Sequence, residues 1–325
     1  MAARAASPTF RLPPASRRRI LWTACGVAVL VLAMRELVSA PAVFVPTVLD
    51  GLTTAGLYFL VASGFTLIFG LLRVTNLAHG SFYLAGGYIG YSLREATGSW
   101  FLALAGAAVA MALFGLIFQF TVLRLVGGDS LRESLVTIGL SVVIADVTLA
   151  VWGGSSLDIG VPHVLDSTIN VNGLIYPQYR LALLGLALLV GVGLWLVLQR
   201  TRLGMTIRAG VDDPQILATT GVNVPLILSF VFGIGSLLAG LAGVAGGSYL
   251  SVSQGEDARY LLISLLVVIV GGLGSVPGAA IGSVVVGLVQ AFAQIHLPTY
   301  SVLVTFGVMI VILAVRPRGL FGGAA

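Results

Sequence analysis

The sequence predicts an all-α protein, a polytopic transmembrane helical bundle of about 8 to 10 spans, some of them broken or re-entrant. Three observations predict it. Of the 325 residues, 58% are hydrophobic and only 9% charged, where an ordinary soluble domain carries about 25% charged side chains. Charge-free runs long enough to cross a hydrocarbon layer of about 30 Å recur along the whole chain. The 42 glycines are close to twice the usual frequency of about 7%, and small residues let helices approach closely in lipid. A water-soluble globule is excluded, because so few charges cannot cover its surface. All 17 basic residues are arginine, so no P-loop lysine, Schiff base or amine nucleophile exists here. The single cysteine, Cys25, excludes an internal disulfide. The net charge of +5 is dispersed between apolar runs, which suits a membrane surface rather than nucleic acid.

The clearest spans cover Gly51 to Leu72, Phe101 to Leu123, Ser134 to Trp152, Leu181 to Leu198 and Pro225 to Ser251. Arg259 and Arg316 then bracket 56 residues without a charge apart from the usually neutral His296. Glycine and proline at Gly271 to Pro277 and at Ile295 to Pro298 divide that stretch, giving spans near Tyr260 to Leu273, Gly278 to Ile295 and Tyr300 to Val315. The segment Val74 to Leu93 is charge-free but interrupted by Asn76, His79, Gly80 and Ser81, as a broken or half-length helix would be. Residues 1–45 form a separate N-terminal arm with an extra hydrophobic segment, Ile20 to Met34, and residues 46–325 form the bundle. The extra segment either spans the bilayer or is a signal cleaved after Val38, Ser39 and Ala40.

Arginine placement sets orientation, since cytoplasmic loops retain positive side chains. With ten crossings and both termini inside, thirteen arginines fall on the cytoplasmic side; Arg35, Arg94, Arg180 and Arg259 fall outside. The longest external loop, Gly153 to Tyr179, is large enough for a small structure of its own.

Interrupted segments at membrane depth often mark a substrate path, where main-chain amides and carbonyls face a cavity. Candidate path residues are therefore Asn76, His79 and Gly80 in the first break, Gly271, Gly272 and Gly274 in the second, and the polar Gln290. Ordinary packing of a many-helix bundle is the first reading of the glycines, and a break or slide at a translocation path the second. Asp146 is an ionisable group inside a span, at a cost of about 2.5–3.5 kcal/mol if left in lipid. It reads as a hydrogen-bonded structural aspartate, a cavity-lining group or a proton carrier. His79 reads as a buried, hydrogen-bonded histidine, and His163 and His296 lie too far from it in this topology to share a metal. No cofactor is expected.

The internal loop 200–224 contains a complete short-helix signal. Asp212 and Asp213 precede it, Asp213 caps it, Pro214 takes the tolerated first position and Gly221 stops it. Ile216 and Leu217 give it an apolar knob. Flanked by Arg200, Arg202 and Arg208, such a rod suits docking into a groove on a soluble partner, or else lies against its own membrane domain.

Three ordered blocks carry a family resemblance. NLAHG at Asn76 to Gly80, the loop TRLGMTIRAGVDDPQILATTGVNV, and GGLGSVPGAAIGSVVVGLVQ near the end resemble branched-chain amino acid ABC transporter permeases of the LivH type. The likeness runs from about Asp50 to Gly322. It implies a permease of the bacterial plasma membrane, working in the lipid bilayer with a second homologous permease, two cytoplasmic ATP-binding subunits and an extracytoplasmic solute-binding protein. It makes the 213–221 helix the element that receives the ATPase's motion. The chain departs from the pattern in its extra N-terminal segment and in carrying Gln290 where an acidic residue is common. Amide or urea import is the alternative within the class, and a proton-coupled secondary transporter using Asp146 is the alternative outside it. An enzyme lacks support, because no acid, base and nucleophile converge on one face of the bilayer.

Overall fold

The computed structural model describes residues 41–72, 76–126, 129–171, 174–212, 221–316 and 319–321. The chain divides into two units, Met1–Pro46 and Thr47–Ala325, and the architecture below is that of the second. The extra hydrophobic segment and residues 213–220 of the internal loop, with Asp213, Pro214, Ile216 and Leu217, lie outside the described residues.

The helices in chain order are α1 (Pro41–Leu72), α2 (His79–Thr97), α3 (Trp100–Phe118), α4 (Arg124–Val126), α5 (Ser130–Trp152), α6 (Gln178–Arg200), α7 (Arg202–Asp212), α8 (Val224–Leu250), α9 (Glu256–Gly271), α10 (Val276–His296) and α11 (Ser301–Val315). A π turn at Gln119–Leu123 joins α3 to α4 without a gap. Among the described residues seven helical segments are long and apolar enough to cross a membrane. The 19-residue α2 and the 16-residue α9 are not among them. The long connection between α5 and α6 forms a small hairpin, β1 (Thr168–Val171) against β2 (Leu174–Pro177), with Ile169 opposite Tyr176.

Several helices outrun the apolar stretches that announced them. The first begins ten residues early, at Pro41, with Pro46 inside it. α5 begins at Ser130 because the Asp129 carboxylate accepts from the amides of Leu131 and Arg132 and caps the first turn. α9 begins at Glu256, four residues before the apolar run. A charge limits an apolar run; a helix ends only where its main chain finds another partner. Polar caps mark other starts, with Ser99 on Leu102, Asn223 on Leu226 and Ser275 on Gly278, the last two beside a proline in the first turn.

α8 forms the axis of the fold, packed between α2 and the antiparallel α3. Backbone meets backbone where Gly86 faces Gly240 and where Gly243 faces the Tyr83 carbonyl, the close approach that lipid-embedded helices use in place of a hydrophobic drive. Around them Ile68, Phe82, Met111, Phe118 and Phe232 form one buried cluster. Phe82 meets Phe232 and Phe114 edge to face, with ring centroids 6.0 and 5.6 Å apart. Single hydrogen bonds fix the helix ends: Trp100 Nε1 donates to Ser248 Oγ at 2.7 Å, and the Tyr179 hydroxyl to the Ala245 carbonyl at 2.7 Å. The outward faces of α3, α5, α6 and α11 are overwhelmingly apolar and exposed, as lipid-facing surfaces are.

Candidate functional site

Helix α2 starts inside the bundle, and α9 starts against it with part of its own first turn exposed. Before α2, the Asn76 side chain accepts from the Ala78 amide at 3.1 Å and closes a turn. The Leu77 amide donates to Thr137 Oγ1 at 3.2 Å. His79 is fully buried, and its Nε2 lies 2.9 Å from the Val61 carbonyl. A carbonyl only accepts, so Nε2 carries the proton. Val61 is the twentieth of the 29 residues of the Ala42–Gly70 span, so α2 begins beside the interior of that span rather than beside its end.

The start of α9 lies against that of α2. After α8 ends, Val252 pairs with Leu157 through main-chain bonds of 2.8 and 2.9 Å and lies over Gly87 and Gly247. The chain then turns at Gly255, whose φ of 88° is left-handed, and α9 begins. Gly80 of α2 packs against the Asp257 carbonyl of α9. The two helix starts thus touch each other.

A polar cluster surrounds this junction. The Tyr58 hydroxyl of α1 donates to Gln290 Oε1 of α10. The Tyr58 ring meets Tyr260 edge to face at 6.5 Å, and Tyr260 lies 3.9 Å from Tyr83 of α2. The Arg259 guanidinium lies over the Tyr260 ring at 5.8 Å and pairs with both Glu256 oxygens, at 3.1 and 3.3 Å. Asp257 turns the other way, towards the Ser81 hydroxyl at 3.5 Å. Nearer the hairpin, Arg180 pairs with Asp50 and lies over the rings of Tyr176 and Tyr249. Two apolar grooves, of 310 Å3 between α1, α6 and α10 and of 390 Å3 between α2, α3 and α5, have no charged side chain in their walls.

The fold distributes the sequence-selected residues over three places. Asn76, His79 and Gly80 form the junction, with Gln290 beside it through Tyr58. Gly271, Gly272 and Gly274 lie at the opposite end of α9. Gly271 packs on Gly278 and Gly274 on Gly70, with φ of 107° at Gly272 and 79° at Gly274. The amides of Leu320 and Phe321 pin that turn through the carbonyls of Val270 and Gly271, at 2.8 and 3.0 Å. Asp146 stands apart: α5 buries Thr137, Ile144 and Thr148, and Asp146 projects exposed from the opposite side. Among the described residues none makes a hydrogen bond with the Asp146 side chain. Of the internal loop, α7 and Gly221 are described. Gly221 has the left-handed φ of 80° expected of a helix stop.

Glu256, Arg259, Tyr58 and Tyr260 are not among the residues the sequence singles out. The available signal is the run Glu256, Asp257 and Arg259 between two apolar stretches; what joins that run to α2 is the contact of Asp257 with Gly80, more than 170 residues away in sequence.

Residues 47–313, from the first turns of the second unit to the last turn of α11, match the protein family described as "Branched-chain amino acid transport system / permease component". The chain belongs to that family. The permease is 28% identical over 296 residues to the high-affinity branched-chain amino acid transport system permease protein BraD of Pseudomonas aeruginosa, covering 86% of this chain and 96% of that one. It is 26% identical over 305 residues to LivH of Escherichia coli, with the same coverage. It also resembles LivM of Escherichia coli, 28% identical over 342 aligned positions, covering 96% of this chain and 78% of that one. No solved structure matches it.

Proposed function

We propose that this permease is one of two membrane subunits of an ATP-driven importer for leucine, isoleucine and valine, with a second homologous permease, two cytoplasmic ATP-binding subunits and an extracytoplasmic solute-binding protein. The observation that carries the reading is the family match along the whole bundle, both helix starts included. The missing lysine supports it, because nucleotide hydrolysis of the P-loop kind must then reside on another chain.

Helix starts that meet each other suit alternating access, in which rigid groups of helices move around a fixed mid-depth site. Driving force enters through the loop 200–224. The start of α7 is wedged against the end of α6: the Thr201 hydroxyl accepts from the Gly204 amide at 3.1 Å, and Gly204 packs on the carbonyls of Val197 and Leu198. A push on the loop beyond α7 is in this reading delivered to α6 through α7. Both termini lie on the cytoplasmic side in this reading, with the hairpin outside.

Reconstitution of the assembled transporter in proteoliposomes tests the proposal. The expected result is leucine accumulation that requires ATP on the ATPase side and the binding protein on the other, and that persists when a protonophore collapses the proton gradient. Uptake driven by a proton gradient without ATPase would overturn it, as would uptake of urea or a short amide in place of leucine.

A further inference from the structure

The Glu256–Arg259 pair lies in an unusual place for two charges. Arg259 stacks on Tyr260, and Tyr260 meets the ring of Tyr58, whose hydroxyl bonds Gln290. Gln290 is six residues from the end of α10 at His296, or about 9 Å at 1.5 Å per residue. The pair adjoins this contact between α1 and α10, yet it is open. The Arg259 side chain is 44% exposed and that of Glu256 21%. One turn further along α9, Leu262 is 51% exposed.

Packing does not explain this edge. Asp257 and Tyr260 turn inwards to α2 and supply the contacts between the two helix starts. Glu256, Arg259 and Leu262 follow one another at intervals of three residues, each beside the next; Arg259 also meets the Tyr58 hydroxyl of α1, yet Arg259 and Leu262 stay largely uncovered, although charges between apolar spans belong against protein or water. The edge offers a cation, a carboxylate and an apolar side chain within two turns. Those are the complements of the three parts of an apolar α-amino acid: its carboxylate, its ammonium and its side chain. The pair also has matched charge. When empty it neutralises itself; when a zwitterion inserts, one ion pair becomes two and the net charge of the site is unchanged, so no uncompensated charge is created in a poorly polar surrounding.

We infer that the open edge of α9, with Gln290 beside it, is the contact over which the amino acid passes, Arg259 receiving its carboxylate, Glu256 its ammonium and Leu262 its side chain. This rests on the import reading above and names the residues that would serve it.

The test uses the whole transporter in proteoliposomes with leucine as the probe. Arg259→Gln and Glu256→Gln are each expected to lower ATP-driven leucine uptake at least tenfold while the ATPase subunits still co-purify and hydrolyse ATP. Arg132→Gln, which removes the Arg132–Asp129 pair at the start of α5, is expected to leave uptake within twofold. The double variant Glu256→Arg with Arg259→Glu keeps a pair on the helix but reverses its direction, and is expected not to restore uptake. A merely structural pair would be restored by the reversal. Uptake within twofold for Arg259→Gln, or recovery in the reversed variant, would overturn the inference and leave the import reading standing; an unmodified transporter that moves no leucine would overturn both. Labelling decides the matter if Arg259→Gln does not assemble. In a Cys25→Ser background, Leu262→Cys is expected to react with a membrane-impermeant thiol reagent and to be protected by leucine, and absence of reaction would contradict a water-lined path.

Discussion

Gly80 at the start of α2 packs directly against the main-chain carbonyl of Asp257 at the start of α9, and a methyl group at position 80 would occupy the space of that oxygen. A flexible side chain can yield to an added methyl; two main chains held by their own helices cannot. Gly80→Ala is therefore expected to destabilise the permease by about 1–3 kcal/mol, the usual cost of overpacking. Gly139→Ala is the control, because position 139 on α5 has open space around it and alanine favours helix over glycine by about 1 kcal/mol. Thermal unfolding of both variants in detergent checks the pair: the first falls, the second does not.

The hydrogen bond from Tyr58 to Gln290 joins α1 to α10 across 232 residues of sequence. Tyr58→Phe and Gln290→Leu each remove it, so a double-mutant cycle should show a coupling of about 0.6 kcal/mol, the average for hydrogen bonds between membrane helices, and at most about 1.7. Unfolding in mixed micelles measures it, and additive losses would mean that the two helices are held by packing alone.

The apolar knob at Ile216 and Leu217 is the surface expected to sit in a groove of the ATPase. A carboxylate buried in such a groove has no partner. Leu217→Asp is expected to abolish co-purification of the ATPase subunits while leaving the permease inserted and monodisperse; normal co-purification would remove the docking role.

Asp146 is exposed on α5, and His79 and Gln290 take their hydrogen bonds from Val61 and Tyr58 rather than from it. Asp146→Asn is expected to leave ATP-driven leucine uptake within twofold, measured with and without a protonophore. Uptake that failed in Asp146→Asn and in the presence of the protonophore would favour proton coupling.

Much of the bundle was legible in the sequence because each crossing helix writes its own length in apolar residues. The breaks were legible too, since Asn76, His79 and Gly80, and the glycines from 271 to 274, stand out against the runs beside them. What lay hidden was long-range packing. Arg259 has the same local sequence whether it lies on a free loop or beside the buried start of α2, and only the long-range contact of Gly80 with Asp257 decides between them. Asp146 shows the converse. Its position within an apolar run is plain, but the face it occupies depends on which side of α5 meets α2, a property of packing that 3.6-residue periodicity could not assign in a helix apolar all round.

The most direct measurement concerns the side of the membrane on which the 200–224 loop lies, since a motor outside the chain must reach it. With Cys25→Ser and Gln215→Cys in the assembled transporter, a membrane-impermeant thiol reagent added to intact cells should leave position 215 unmodified and should modify it once the cells are permeabilised and the ATPase subunits stripped. Modification in intact cells would place the knob on the outer side, beyond the reach of a cytoplasmic ATPase, and would contradict ATP-driven transport through this chain.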